Sequence, residues 1–450
     1  MNTMEKVKHE KIGLCGFSNM GNTCYMNSVI QLIIHSRIFI NFLLCENNPY
    51  NDNSDSSFVD MVIKNENKAP FIKFLKNCSL ERLADLIRKK YRLDPDAEVK
   101  ININDLKIYM ENTLTIKLAE LVNILIYCGN SCITPTGIKK IIDKNIPRLR
   151  GFDQQDAHEL LIGIFDILIE ETGIDSEPLI NNVPESVKSF LQYLEEIKSL
   201  IKKTNSIEEK KKYIMNVNEY KEKNMEVINK YHGLKFMTNV FEIKRKNSLD
   251  TSTTGYNPLI FNLLTLDVNT FKCVNCNNSI NKYEFNTILS LDVKPTLEEC
   301  FENYVKEEII ERKCEICSNN NTMKKKLIWR PGMLLFIQLC RFNNLPSGKV
   351  YKNNQSVKIP KYLNLNKYCD NSMKTDKSLT YQYKLKGISN HSGSLNGGHY
   401  TADAISITDN ESWYNFDDSR VGKFNNGIFD ISDIIDSSSA YILMYEMELN

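Results

Sequence analysis

The cysteine at position 24 lies in a segment that suits nucleophilic chemistry. A polar loop with Gly16 and Gly21 precedes it, and apolar residues at helical spacing follow it (Met26, Val29, Ile30, Ile33 and Ile34). This pattern predicts that Cys24 opens a buried helix, with Asn22 and Thr23 as capping residues. Unpaired N–H groups and the positive end of the helix dipole favour a thiolate there. The alternative is a structural cysteine buried at a helix start.

Asn19 lies five residues upstream of Cys24 in the same loop. Its side-chain amide could donate to a developing oxyanion together with the backbone N–H of Cys24.

A cysteine nucleophile needs an imidazole base, and the imidazole needs an acceptor that orients it. The six histidines are His9, His35, His158, His232, His391 and His399. His399 follows two glycines, Gly397 and Gly398, and opens an alternating strand, so close backbone approach is possible there. His391 is the rival base, which we interpret as a loop-shaping residue.

Two carboxylates, Asp417 and Asp418, end a strand one hairpin after His399. A returning hairpin can place Asp417 beside the imidazole, where it fixes the tautomer and stabilises the imidazolium. The alternative is an ordinary Asp-Asp turn.

Four cysteines form two C-x2-C pairs: Cys273, Cys276, Cys314 and Cys317. Four thiolates in a tetrahedron are typical of a structural zinc site with no open position. A redox pair does not explain why there are two pairs. Their separation predicts an intervening hairpin.

The composition of the chain excludes few functions, but it indicates the broad class of protein. The chain has 450 residues, a net charge of +1 and thirteen cysteines. The near-zero charge gives no reason to expect nucleic acid as a partner, and no uninterrupted apolar run long enough for a membrane span is present. The charged N-terminus lacks a secretory signal, and an odd cysteine count argues against a disulfide framework. We therefore expect an intracellular protein, in the nucleus or the cytoplasm, without membrane association.

The predicted elements change from helical to β along the chain. Helical spacing marks Leu80–Tyr91, Thr115–Cys128 and Gly151–Leu168, and two charged amphipathic helices are expected within 184–231. From about residue 236 short β runs dominate. Helices first and sheet later predict an α+β fold with two lobes and a cleft between them.

Taken together, these segments resemble the ubiquitin-specific proteases, a papain-like family of deubiquitinases. GFSNMGNTCYMNSVIQ resembles the cysteine box, GFDQQDAHELL the glutamine-rich box, and the segment from YKLKGISNHSG to WYNFDDSRV the histidine box. LLFIQLCRF and AYILMYE resemble strands of the same family, and the match runs from Gly13 to Glu446.

The resemblance implies a site and a reaction, namely thiol-dependent hydrolysis of the isopeptide bond after ubiquitin's C-terminal glycine. The implied catalytic residues are Cys24 as nucleophile, His399 as general base and acid, Asp417 as orienting acid, Asp418 as its support and Asn19 as oxyanion donor. The implied substrate-binding residues are Gln155, Asp156, Gly397 and Gly398. Zinc on the four cysteines is the implied metal, and catalysis needs no cofactor.

The resemblance also implies a hand-shaped domain over 13–447 after a tail at 1–12. Its parts are a helical thumb at 13–180, a charged helical insertion at 184–231, zinc-bearing β fingers at 236–330 and a β palm at 331–447. Cys340, where the family usually has a basic residue, and the lack of a glycine before Cys273 depart from the family pattern.

Ubiquitin and ubiquitinated proteins are the implied partners. DQQDAHELLIGIFDIL and IPKYLNLNKYC are similar to the histone-deubiquitinating subgroup of the SAGA complex, which adds histones and an activating complex as candidates. That subgroup carries an N-terminal zinc-finger domain that the short segment before the cysteine box does not provide. The alternatives are a catalytically latent ubiquitin-binding scaffold and a protease for a ubiquitin-like modifier.

Overall fold

The computed structural model describes residues 13–44, 112–127, 131–171, 174–175, 185–204, 206–224, 227–228, 231–233, 242–244, 254–256, 258–277, 279–314, 317–344, 350–370, 380–394, 397–425, 427–429 and 431–448. The tail at 1–12 and the helix predicted at Leu80–Tyr91 lie outside these residues.

The first part of the described chain is helical, as predicted. Its helices are α1 (Cys24–Ile34), α2 (Arg37–Leu44), α3 (Leu114–Tyr127), α4 (Thr136–Asn145) and α5 (Ala157–Glu171). Every residue of α1 is buried, because the other helices cover one side of it and the sheet covers the other. Short 3-10 helices also occur at Pro147–Leu149 and Asn366–Tyr368.

The charged segment forms the two helices expected from its sequence, α6 (Glu185–Lys203) and α7 (Ile207–Lys223). Ser206 caps α7 by accepting the Glu209 N–H at 3.3 Å. The rings of Phe190 and Tyr220 stack with centroids 5.4 Å apart, so the two helices pack together through aromatic residues. Two further helices follow in the chain, α8 (Pro258–Leu263) and α9 (Leu297–Tyr304).

Strands dominate the second half. The strands of the two large sheets are β6 (Thr265–Cys273), β7 (Ser279–Asn286), β8 (Ile288–Asp292), β9 (Glu308–Glu311), β10 (Asn321–Arg330), β11 (Leu334–Cys340), β15 (Tyr362–Asn364), β16 (Gln382–Ser394), β17 (Gly397–Ile405), β18 (Trp413–Asp417), β19 (Arg420–Lys423) and β21 (Ala440–Met447). The eight-stranded central sheet has the order β19-β18-β17-β16-β21-β11-β8, with β15 also paired to β16, and the four-stranded sheet has the order β7-β6-β10-β9.

The remaining strands form small pairs and one three-stranded sheet. They are β1 (Gly16–Phe17) with β2 (Cys132–Ile133), β12 (Phe342–Asn344) with β13 (Val350–Lys352), β14 (Val357–Pro360) with β20 (Ile434–Ser437), and β3 (Ile174–Asp175), β4 (Glu242–Lys244) and β5 (Thr254–Tyr256).

Helix α1 packs directly on β16 and β17 of the central sheet. Ser28 Oγ lies 3.0 Å from Ser389 Oγ, and a Cβ added to Gly387 would meet the side chain of Leu32 at 2.7 Å. In the same core, Phe165 of α5 contacts Phe336 of β11, with ring centroids 5.2 Å apart. The core between helices and sheet therefore fixes the start of α1 against β17.

These elements confirm the predicted α+β fold class, with helices first and sheets later. The predicted division into thumb, insertion, fingers and palm stays a prediction.

Within the described ranges, no single helix is long and apolar enough to cross a membrane. Helices α1 and α2 meet that test of length and composition only as a pair, and they are bent by 83° at the break between them.

Candidate active site

Cys24 is the first residue of α1, as predicted, and its side chain is buried. Thr23 stands at the cap position, but its side chain makes no capping hydrogen bond, so that part of the prediction is wrong. The Thr23 hydroxyl instead accepts the Met20 N–H at 2.9 Å and lies 3.2 Å from Asn19 Oδ1. The hydroxyl closes the loop before the helix, which is why it is not used at the helix end.

The Asn19 side chain is held at both ends. Its Oδ1 accepts the backbone N–H groups of Gly21 at 3.0 Å and Thr23 at 3.1 Å. Its Nδ2 donates to Asp418 Oδ2 at 2.8 Å. Because an amide nitrogen carries two hydrogens, the same group can donate a second hydrogen bond to another acceptor.

Burial raises the pKa of the Cys24 thiol, and the charge of Asp418 raises it further. Hydrogen bonds from the backbone N–H groups of Tyr400, Tyr25 and Cys24 itself oppose this but do not outweigh it. The expectation of a thiolate favoured by the helix end is therefore wrong for the protein without substrate. A buried thiol must hand its proton to a base before it can attack.

His399 lies on β17, one residue before Tyr400, and α1 packs against this strand. Its Nε2 lies 2.7 Å from Asp417 Oδ1, across the hairpin formed by β17 and β18. With Nε2–H donated to the carboxylate, Nδ1 is the ring nitrogen that carries a lone pair. The structure thus places the helix opened by Cys24 against the strand that carries His399, with Asp417 bound to the imidazole.

Asp418 lies close to the pair, with a carboxylate oxygen within 4.8 Å of a ring nitrogen of His399, but its hydrogen bonds go to asparagine side chains. Its carboxylate accepts the Asn19 amide through Oδ2 and the Asn27 amide through Oδ1, at 2.8 and 2.7 Å. Its backbone has a φ of +49°, and its carbonyl accepts the Phe17 N–H at 2.8 Å. The carboxylate therefore joins the loop that carries Asn19 to helix α1. Sequence reasoning missed Asn27, which lies on the polar side of α1.

Asp156 caps α5 and is also tied to the end of the sheet. Its Oδ1 accepts the His158 N–H at 2.7 Å, and its Oδ2 accepts the Tyr441 hydroxyl at 2.6 Å. Gln338 donates to that hydroxyl at 2.9 Å. An ionised carboxylate has about four acceptor positions, so Asp156 can still accept from a cationic ligand. Gln155 is half-buried beside it.

The two glycines before His399 differ in their surroundings. A Cβ on Gly398 would lie 2.1 Å from His391 Nε2, whereas a Cβ on Gly397 would meet nothing within 4 Å. His391 is buried against Tyr400, with ring centroids 4.6 Å apart. Burial, with the Lys352 charge, lowers the pKa of His391 to about 4. A side chain at Gly398 would therefore displace a neutral imidazole that lines this end of the crevice.

The four predicted metal ligands lie together at the tip of the four-stranded sheet. Their sulfur atoms all lie within 4.8 Å of one another, with Cys273 3.5 Å from Cys317 and Cys276 3.6 Å from Cys314. A tetrahedral ion with metal–sulfur bonds of about 2.3 Å needs sulfur atoms about 3.8 Å apart, so the cluster fits one. The Asn319 backbone N–H also lowers the pKa of the Cys317 thiol, to about 6.

The segment between the two cysteine pairs is longer than the single hairpin that the sequence predicts. Strand β7 returns from the tip, β8 joins the central sheet, α9 follows, and β9 leads back to the second pair.

The model for the ubiquitin carboxyl-terminal hydrolase family matches residues 15–445. The probable ubiquitin carboxyl-terminal hydrolase R319 of Acanthamoeba polyphaga mimivirus is 24% identical, over 96% of this chain and 90% of its own length. Ubiquitin carboxyl-terminal hydrolase 8 of Saccharomyces cerevisiae is 24% identical, over 98% of this chain and 72% of its own length. Ubiquitin carboxyl-terminal hydrolase 9 of Arabidopsis thaliana is 36% identical, but over 37% of this chain and 18% of its own.

Among solved structures, the SAGA Ubp8/Sgf11/Sus1/Sgf73 DUB module bound to ubiquitin aldehyde is similar with a TM-score of 0.58. The match has 19% identity and covers 98% of this chain and 71% of the other, so it shows a shared fold.

A cysteine at the start of a buried helix, packed on a strand that carries a histidine paired with an aspartate, provides the groups of a cysteine hydrolase. The match over 15–445 then sets the family: the chain belongs to the ubiquitin carboxyl-terminal hydrolases and is a cysteine-type deubiquitinase. The family named from the sequence is confirmed.

Proposed function

We propose that this protein hydrolyses the isopeptide bond after the C-terminal glycine of ubiquitin, with Cys24 as nucleophile. The observation that carries the assignment is the pairing of His399 with Asp417 at 2.7 Å on the strand against which the helix opened by Cys24 packs. That arrangement supplies the nucleophile, the base and the orienting acid of a thiol hydrolase.

In the first half of the reaction, His399 Nδ1 takes the proton of Cys24 as sulfur attacks the glycine carbonyl. The Asn19 amide and the Cys24 N–H donate to the tetrahedral oxyanion. His399 then gives its proton to the leaving lysine amine, and a thioester remains on Cys24. In the second half, water attacks the thioester, His399 takes a proton from it, and the cysteine leaves with its proton restored.

Asp417 accepts from Nε2 throughout and stabilises the imidazolium. Asp418 acts through Asn19 and Asn27 as an orienting residue. For the substrate tail, we assign Asp156 and Gln155 to its basic residues, and Gly397 and Gly398 to the channel for its two glycines.

Zinc is the metal that we assign to the four-cysteine cluster. Four thiolates leave no open coordination position, so its part is structural, and a site of this kind supplies on the order of 10 kcal/mol of folding free energy. Histones as conjugates and an activating complex are further proposals, supported by the fold shared with the SAGA module. The intracellular location stays a prediction.

The test compares wild type with Cys24→Ala on a ubiquitin–fluorophore conjugate and on free ubiquitin. We expect the substitution to abolish turnover and to leave ubiquitin binding intact, because the thiol supplies chemistry and little contact area. Residual turnover by the variant would refute the nucleophile. Binding of ubiquitin by wild type without turnover would favour the catalytically latent scaffold. Turnover of a ubiquitin-like conjugate alone would favour a protease for a ubiquitin-like modifier.

A further inference from the structure

The segment of β17 that carries His399 has a strand neighbour on one side. It pairs with β16 through Gly398 and His399, whereas β18 pairs with β17 from Ala402 onward. N–H groups of residues two apart point to the same side of a strand, so those of Gly398 and Tyr400 share one edge. Helix α1, which Cys24 opens, packs against β17 and β16.

The Gly398 N–H on the same edge donates to the side chain of Gln154. Gln154 Oε1 accepts it at 3.2 Å. The Nε2 of the same side chain lies 3.5 Å from Asn22 Oδ1, two residues before the nucleophile. Asn22 in turn donates its amide to the Phe152 carbonyl at 2.9 Å. Gln154 therefore joins the loop before α5, the loop before Cys24 and the strand of the base.

We infer that Gln154 is a positioning residue for His399, an inference that rests on the proposed function. β16 holds one edge of the segment that carries His399, and on the other edge the Gln154 side chain accepts the Gly398 N–H. Glycine backbone is flexible, so without that hydrogen bond this end of β17 is held from one side only. The acceptor oxygen of Gln154 therefore fixes the position of the imidazole relative to the loop before Cys24.

The experiment uses the full chain with Gln154→Ala, which removes the acceptor, and Gln154→Glu, which keeps it. Gln192→Ala on the exposed face of α6 is the control, and His399→Ala is the reference without a base. The first readout is kcat and KM on a ubiquitin–fluorophore conjugate. The second is the pH dependence of Cys24 alkylation by iodoacetamide, read by mass spectrometry on the peptide that contains Cys24.

We expect Gln154→Ala to lower kcat about tenfold with KM changed less than about twofold, since one hydrogen bond is lost. Its alkylation profile should shift toward that of His399→Ala, while the control keeps the wild-type profile and Gln154→Glu, which keeps the acceptor, loses much less kcat than Gln154→Ala. Equal loss in Ala and Glu variants, a loss confined to KM, or an unshifted alkylation profile would overturn the inference. The alkylation readout needs no ubiquitin, so a shift without ubiquitin turnover in wild type would support Gln154 while refuting the proposed substrate.

Discussion

Replacing Asp418 with asparagine separates two effects that the structure places on one carboxylate. The carboxylate accepts the amides of Asn19 and Asn27, and its charge raises the pKa of Cys24. Asparagine keeps the shape and tolerates the left-handed backbone at φ +49°. It offers one oxygen and one NH2 group, so it can accept from only one of the two amides.

The expected loss of kcat depends on which of the two hydrogen bonds, that from Asn19 or that from Asn27, is lost. Asn27 is 3% exposed, so its bond is retained, and the NH2 group then faces the more exposed Asn19. A hydrogen bond to a charged group contributes about 1.5–3 kcal/mol, and exposure favours the lower value. At about 1.4 kcal/mol per factor of ten, Asp418→Asn should lower kcat by roughly ten- to thirtyfold.

The same substitution should make Cys24 easier to ionise, because a negative charge beside the thiol is removed. We expect the pH midpoint of Cys24 alkylation to fall while kcat on a ubiquitin–fluorophore conjugate also falls. Asp417→Asn is the matched control, since it should lower kcat and raise that midpoint by weakening the imidazolium. Unchanged turnover in Asp418→Asn, or a raised midpoint, would refute the role given to this carboxylate.

Four further outcomes are expected. Asn19→Ala should lower kcat by roughly 10²–10³, as for other oxyanion donors, with intact ubiquitin binding measured alongside. Cys276→Ser should abolish zinc retention by metal analysis and lower the unfolding midpoint, and Cys132→Ser should do neither. Burial lowers the pKa of His35 to about 4, so only the unfolded chain takes up this proton between about pH 6.5 and 4. The free energy of unfolding should be undiminished above about pH 6.5 and should fall by on the order of 3 kcal/mol between about pH 6.5 and 4. In urea titrations, His35→Asn should lack this pH-dependent loss. Arg341 is fully buried and donates to four backbone carbonyls, so Arg341→Met should cost about 3–5 kcal/mol in the same titrations.

The sequence predicted the elements of this fold well where the pattern was strong. Strands β11 and β21 fall on the apolar runs LLFIQLCRF and AYILMYE, and Cys24 opens α1 as expected. Hydrophobic period and length decide such elements locally. The position of His399 next to Asp417 also follows from a short hairpin.

What the sequence could not supply depends on contacts between distant segments. The burial that raises the Cys24 pKa arises because α1 packs against strands and helices from distant parts of the chain, and the partners of Asp418 come from the loop and helix at the other end of the chain. Tyr441, which binds Asp156, lies in the last strand. No local pattern reports such pairings, so the helix end alone gave the wrong sign for the thiol pKa.

The central claim is that the Cys24 thiol attacks the terminal carbonyl of ubiquitin with help from His399. Its most direct test is reaction with ubiquitin carrying a C-terminal electrophile, followed by peptide mapping of the adduct. The account predicts one covalent ubiquitin on Cys24, much slower labelling of His399→Ala, and weak competition by ubiquitin-like probes. An adduct on any other cysteine, or equal labelling of wild type and His399→Ala, would contradict it.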